Sequence, residues 1–133
     1  VAMRELLRRH VFAYLTGNGD AHARNWGVLQ DPDGEWRLSP AFDLPSSLPY
    51  GDTTMATTLG GRRQDLTRRI FRAFGASMGL PERSVDKAID QQCAAVERWL
   101  PGLADLPFRG QVLDRWRRSV LHRRRLLGTA DPV

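Results

Sequence analysis

Apolar positions recur at helical spacing over four stretches of the chain. Leu7, Val11, Tyr14 and Leu15 form one stripe with Arg4, Arg8 and Arg9 off it, which predicts a helix over 1–15. Leu66, Ile70, Phe71 and Phe74 predict a second helix over 65–78. Val85, Ile89, Val96 and Trp99 predict a third over 82–100, and Leu113, Trp116, Val120 and Leu127 a fourth over 106–127. Between the first and second helices the pattern breaks up. N-W-G-V-L-Q (25–30) and E-W-R-L-S-P (35–40) are short strand candidates joined by the turn formers D-P-D-G, so a small hairpin is expected. Prolines at 40, 45 and 49 then forbid helix and limit strand pairing, leaving a shaped loop, and T-T-M-A-T-T-L (53–59) is expected to be extended until Gly60 and Gly61 stop it. The fold class is mainly α with one β-hairpin, and neither an internal repeat nor a low-complexity tract interrupts it.

Gly17, Asn18 and Gly19 close the first helix, so the stretch that follows, N-G-D-A-H-A-R-N (18–25), lies on a loop. Asp20 follows a helix, Asn25 opens the first strand and Asp43 follows the second. A tight hairpin brings Asp43 back towards the loop that carries the other two. Two carboxylates and an amide oxygen are hard donors, suited to a magnesium ion that keeps waters and shares phosphate oxygens with its substrate, and unsuited to zinc. In protein kinases an aspartate takes the substrate hydroxyl proton, an asparagine five residues later holds magnesium, and a further aspartate after a hairpin holds it against the nucleotide phosphates. D-x-x-x-x-N fits at 20 and 25 and F-D-L at 43, where Phe42 and Leu44 can pack the loop that aims the acid.

N-G-D-A-H-A-R-N-W-G-V-L, W-R-L-S-P-A-F-D-L and M-A-T-T-L-G-G-R together resemble the C-terminal lobe of HipA-type serine/threonine kinases, the toxins of bacterial toxin–antitoxin pairs. The resemblance covers residues 10 to 80 by motif and the remainder by helical character. It implies that Asp20 is the catalytic base, that Asn25 and Asp43 bind Mg2+ and the ATP phosphates, and that the substrate is a protein serine or threonine. His22 would support the loop or contact the phosphoryl region, and a purely structural histidine is an equal reading. A HipB-like, DNA-binding antitoxin is the implied partner, with indirect or weak DNA contact. Arg24 stands where that family has lysine, Trp26 and Gly27 where it has phenylalanine and serine, and Phe42 where it has tyrosine.

On this reading residues 1–133 are one domain, with a catalytic loop at 17–29, a metal-binding loop at 40–50 and a helical subdomain at 62–128. The 133 residues contain no glycine-rich loop opening a strand, and the single lysine, Lys87, falls in a predicted helix far after the catalytic loop. The first helix starts without a cap. The expectation is therefore a fragment whose nucleotide-gripping N-terminal lobe is absent, inactive when isolated.

Composition opens a rival. Lys+Arg number 20 against 15 Asp+Glu, and R-W-R-R-S-V-L-H-R-R-R (115–125), with the arginine pairs at 62–63 and 68–69, would suit an arginine-rich nucleic-acid-binding or scaffold module. Trp116, Val120 and Leu127 instead make those arginines the wet face of a buried helix. A second rival is a small-molecule phosphotransferase of aminoglycoside type, which shares D-x-x-x-x-N. The lone Cys93 excludes an internal disulfide and suits a reducing cytoplasm, and neither a membrane span nor a secretory signal is visible. Phe71, Phe74, Trp99, Trp116 and Cys93 are expected in the core. Trp26 and Trp36 either stack on one another or line a cleft.

Overall fold

A computed structural model describes residues 1–128. Four α-helices, α1 (Ala2–Thr16), α2 (Arg68–Ser77), α3 (Glu82–Trp99) and α4 (Gly110–Gly128), enclose the core, and two strands, β1 (Val28–Gln30) and β2 (Trp36–Leu38), form an antiparallel hairpin. The mainly helical fold with one hairpin is as the periodicity predicts.

Each helix buries the stripe that announces it. Leu7, Val11, Tyr14 and Leu15 of α1 are buried against Val85, Ile89 and Val96 of α3, and Phe71, Val120 and Leu127 complete the core from α2 and α4. Cys93 is buried, whereas Phe74, Trp99 and Trp116 are only partly so and pack on the core from outside. The hairpin register pairs Val28 with Leu38, Leu29 with Arg37 and Gln30 with Trp36. Its turn is held by the Asp31 carboxylate, which accepts from the backbone N–H groups of Asp33 and Glu35.

Helix boundaries differ from the expectation where local chemistry intervenes. α2 begins at Arg68 rather than at 65, because Asp65 is left-handed (φ 50°) and the Thr67 hydroxyl caps the helix by accepting from Ile70 N. α4 begins at Gly110 rather than at 106. Pro101 nucleates a short 3-10 turn, Leu100–Asp105, and Pro107 keeps the next residues out of a helix. The segment 53–59 is not a strand. Met55 N donates to Arg63 O, Leu59 bridges Arg62, and Gly60 and Gly61 (φ 56° and 74°) turn the chain back upon itself.

Arginine holds the helices together from within. Arg68 is buried, donating to Leu127 O of α4 and pairing with Asp86 and Asp90 of α3, while Arg72 shares Asp86. Arg123 is buried too, with one nitrogen on Tyr14 O and another on Thr53 O, and its guanidinium lies 5.0 Å from the Tyr14 ring centroid. Arg124 reaches Cys93 O and Glu97. The arginines of 115–125 are thus not all a wet face, since backbone carbonyls claim Arg115, Arg123 and Arg124.

Hydrogen bonds from Arg72, and then from Arg68, hold the Asp86 carboxyl below its ordinary range. A depressed carboxylate stabilises the fold above its unfolded pKa, near 4, and that contribution disappears as pH falls through the lower folded value. Asp86→Asn should therefore lose about 1–3 kcal/mol at neutral pH by urea unfolding. The gap between variant and parent should close as pH falls below about 4.

Candidate functional site

The site grows out of the end of α1. Gly17 adopts the left-handed conformation (φ 73°) that terminates the helix, and a Cβ there would stand 2.2 Å from Leu48 Cγ, so only glycine fits. Asn18 is buried behind it. Its N–H donates to Ala13 O, and its side-chain oxygen accepts from Asp20 N at 3.0 Å, which folds the loop tightly over the helix end.

The proline-rich segment 40–50 is bound to this loop by one residue. Ser47 N donates to Gly17 O at 2.9 Å, its hydroxyl donates to the same carbonyl at 3.0 Å, and that hydroxyl accepts from Gly19 N at 2.8 Å. The next residue, Leu48, is buried in the core. Both candidate loops are therefore anchored at one point.

Asn25 ends a single 3-10 turn, Ala23–Asn25, and donates its Nδ2 to Asp20 O at 2.8 Å. That bond fixes which end of the amide is occupied and leaves the oxygen as the end available to a cation. Trp26 backs the turn, its ring stacked on His10 at 4.3 Å and its Nε1 donating to Ala21 O. Trp26 and Trp36 do not stack on one another, because His10 takes the Trp26 face and Trp36 stays exposed on the hairpin. Burial lowers the His10 pKa, favouring the neutral ring that donates Nδ1–H to Leu6 O.

Asn25 and Asp43 line one small recess of about 40 Å³, walled by Phe12, Trp26, Phe42 and Leu44. Asp43 and Asp65 are the non-glycine residues with left-handed backbone among the described residues, and Asp43 reaches φ 52°. Such a conformation is held against its own strain by the surrounding chain, and here it sets the direction of a carboxylate at the mouth of the recess. Phe42 and Leu44 flank it, each about half exposed.

Asp20 is placed differently. Its side chain is exposed at 64% and does not line the recess, being joined to it through the Asn25 bond to its carbonyl. His22 turns Nε2 towards the Asp20 carboxylate at 3.8 Å, while its Nδ1 is buried without a partner. The structure thus brings Asn25 and Asp43 together, with Asp20 and His22 as a separate pair at the rim. Arg24 points into solvent.

An amide oxygen and a carboxylate fit a hard cation that completes its shell with water and phosphate. No group of three His, Cys, Asp or Glu side chains gathers to hold a metal among the described residues, so this is not an all-protein cage. Two features of the site went unread in the sequence. Ser47 is one of two adjacent serines between prolines, with nothing in the sequence to single it out, and the buried Asn18 looks like any helix-closing amide.

The profile of the HipA-like C-terminal domain matches residues 1–100, and the chain belongs to that family. Among curated proteins it is 34% identical over 118 residues to "Putative kinase Y4dM" of Sinorhizobium fredii, covering 83% of this chain and 28% of that protein. It is 28% identical over 131 residues to "Putative kinase Y4mE" of the same organism, covering 92% and 31%. Among solved structures, the HipA of Shewanella oneidensis, determined as a toxin–antitoxin complex with HipB and operator DNA, superposes with a TM-score of 0.69 at 21% identity, over 93% of this chain and 31% of that one. The fold is shared. The chain spans less than a third of the length of each of these proteins.

Ser47→Ala should cost about 1–2 kcal/mol by urea unfolding, since two hydroxyl hydrogen bonds disappear. Hydrogen exchange at the Gly19 amide should accelerate more than at core amides, because the hydroxyl removed is the nearer of its two acceptors, Gly17 O being the other.

Proposed function

We propose that the chain carries the catalytic loop and metal-binding loop of a HipA-type, ATP- and Mg2+-dependent protein serine/threonine kinase. The observation that carries this reading is the pairing of Asn25 and Asp43 in one recess, with the amide fixed by Asp20 O so that its oxygen is free. The exposed Asp20 carboxylate then stands where an incoming hydroxyl can reach it.

The substrate hydroxyl oxygen forms a bond to the γ-phosphorus as the bond to the β,γ-bridging oxygen breaks and ADP departs. Asp20 accepts the hydroxyl proton. Asn25 and Asp43 would hold magnesium, which neutralises charge on the nucleotide phosphates. His22, within 3.8 Å of Asp20, orients that carboxylate. The natural partner is a HipB-like antitoxin, through which the protein is brought to operator DNA, as the complex of the Shewanella relative suggests.

Most of this catalysis is positioning, and the groups that grip the nucleotide in kinases are not among these 133 residues. Incubated alone with radiolabelled ATP and a protein acceptor, the chain should transfer no phosphate above background. Robust turnover would contradict the division of labour proposed here.

Within a protein of the relatives' full length, Asp20→Ala should lower transfer by about 10²–10⁴-fold with the fold unchanged by circular dichroism, and Asp43→Ala should abolish it. A second readout needs no activity. Mn2+ titrated into the chain should broaden the NMR signals of Asn25 and Asp43 before those of other residues, and Asp43→Ala should remove the effect. Retained transfer in either variant, or uniform broadening, defeats the assignment.

A further inference from the structure

We infer that a second recess, formed where the end of α1 meets α4, binds the carboxylate group of a small organic acid or of a peptide terminus. Its centre is Arg123. The guanidinium is buried, and the two carbonyls it holds, Tyr14 O and Thr53 O, occupy two of its five N–H groups. Carbonyl dipoles solvate a cation without cancelling its charge. Arg68, also buried, is paired with both Asp86 and Asp90, whereas among the described residues no carboxylate lies within ion-pair distance of Arg123. Asp65 and Asp52 act on it only from farther away.

Arg123 lines a recess of about 190 Å³ whose other walls come from α1, from the segment before α2 and from the rest of α4. Tyr14 forms part of that lining, only 1% exposed, and its phenolic oxygen is buried without a hydrogen-bond partner. Leu66 N–H bears on the oxygen, so the group left wanting is the O–H, which has no acceptor. Ser119 adds a hydroxyl and Gln64 an amide. The lone acid of the lining is Asp65, and His122 engages its carboxylate at 2.9 Å. Asp65 shares its left-handed backbone with Asp43 alone among the described non-glycine residues, and such strain persists where the surrounding chain holds a side chain in place.

Donors from Arg123, Tyr14, Ser119 and Gln64, beside one acid already engaged, call for an acceptor that carries a single negative charge. A carboxylate meets both conditions, since its two coplanar oxygens match the fork of a guanidinium. A phosphate dianion would set a second charge against Asp65 with one buried cation to balance it. Water could fill the space, but it leaves the charge of Arg123 uncompensated. Neither Asn25 nor Asp43 lines this recess, and none of its residues lines theirs, so the two sites are separate.

The test compares sodium acetate with sodium chloride at equal ionic strength, by thermal melting and by amide NMR of the whole chain. At about ten times its dissociation constant, acetate should raise the melting temperature by about 2–5 °C over chloride. The amide signals of Thr53, Gln64, Asp65 and Ser119 should move before those of Asn25 and Asp43. Tyr14→Phe removes the O–H and nothing else. In chloride it should melt no lower than the parent, because a buried donor without an acceptor is lost, and its dissociation constant for acetate should rise about tenfold or more. Arg118→Gln, on the exposed face of α4, also removes a charge and should leave acetate binding unchanged. N-acetylglycine ranks the two carriers: tighter binding than acetate names a peptide terminus, weaker binding a small acid, and either supports the inference. No gain of acetate over chloride, a larger gain from inorganic phosphate, uniform NMR shifts, or a Tyr14→Phe that melts lower in chloride or binds acetate as the parent does would overturn it. None of these outcomes involves phosphoryl transfer, so the kinase reading stands or falls separately.

Discussion

Two loops that are almost thirty residues apart in the chain meet at the hydroxyl of Ser47. It donates to Gly17 O and accepts from Gly19 N, so the end of α1 and the proline-rich segment share one fixed point. The rest of the site is geometry hung from it. Asp20 lies one residue beyond Gly19, Asn25 is bonded to Asp20 O, and Asp43 lies four residues before Ser47 with Pro45 limiting the freedom between. The anchor is short because Gly17 has no Cβ and Leu48 sits in the space that one would fill.

The wider fold reaches that anchor through arginine. Tyr14 O, near the end of α1, is held by Arg123 of α4, which also holds Thr53 O in the segment that follows the proline-rich loop. Lysine would serve poorly here. A guanidinium offers several donors in a plane and can satisfy two carbonyls from different elements at once, whereas an ammonium is a single, strongly hydrated point. Burial lowers the pKa of Arg123 while the nearby Tyr14, Asp65 and Asp52 favour its charged form, and burial pushes the Tyr14 phenol up to about 12. Nineteen arginines to one lysine thus describe a chain that staples its loops with cations.

The helices were legible because burial imposes a period, and Leu7, Val11, Phe71, Val85 and Val120 keep it. Their ends were less so: the Thr67 cap and the left-handed Asp65 decide where α2 begins, and neither alters the apolar stripe. Motif spacing placed Asn25 and Asp43 in a common recess, since a hairpin of fixed length closes the distance. It did not foresee that the Asp20 side chain stays outside, because the bond to Asn25 uses its backbone carbonyl. The roles of Ser47 and Arg123 were invisible, as each depends on a partner far along the chain. The run of arginines at 115–125 read as solvent-facing because periodicity counts apolar residues and is silent on a cation that buries itself against carbonyls.

The hairpin has a further consequence. A sheet of two strands is all edge: β1 and β2 each present an outward row of backbone donors and acceptors with no neighbour in the sheet, and Val28, Leu29 and Trp36 beside them are more than half exposed. Such an edge is a template for another strand. Three-residue strands and the charges of Arg37 and Glu35 shorten and blunt it. Among the described residues, the backbone groups open to pairing with another chain lie on this ribbon rather than in the well-buried helical core.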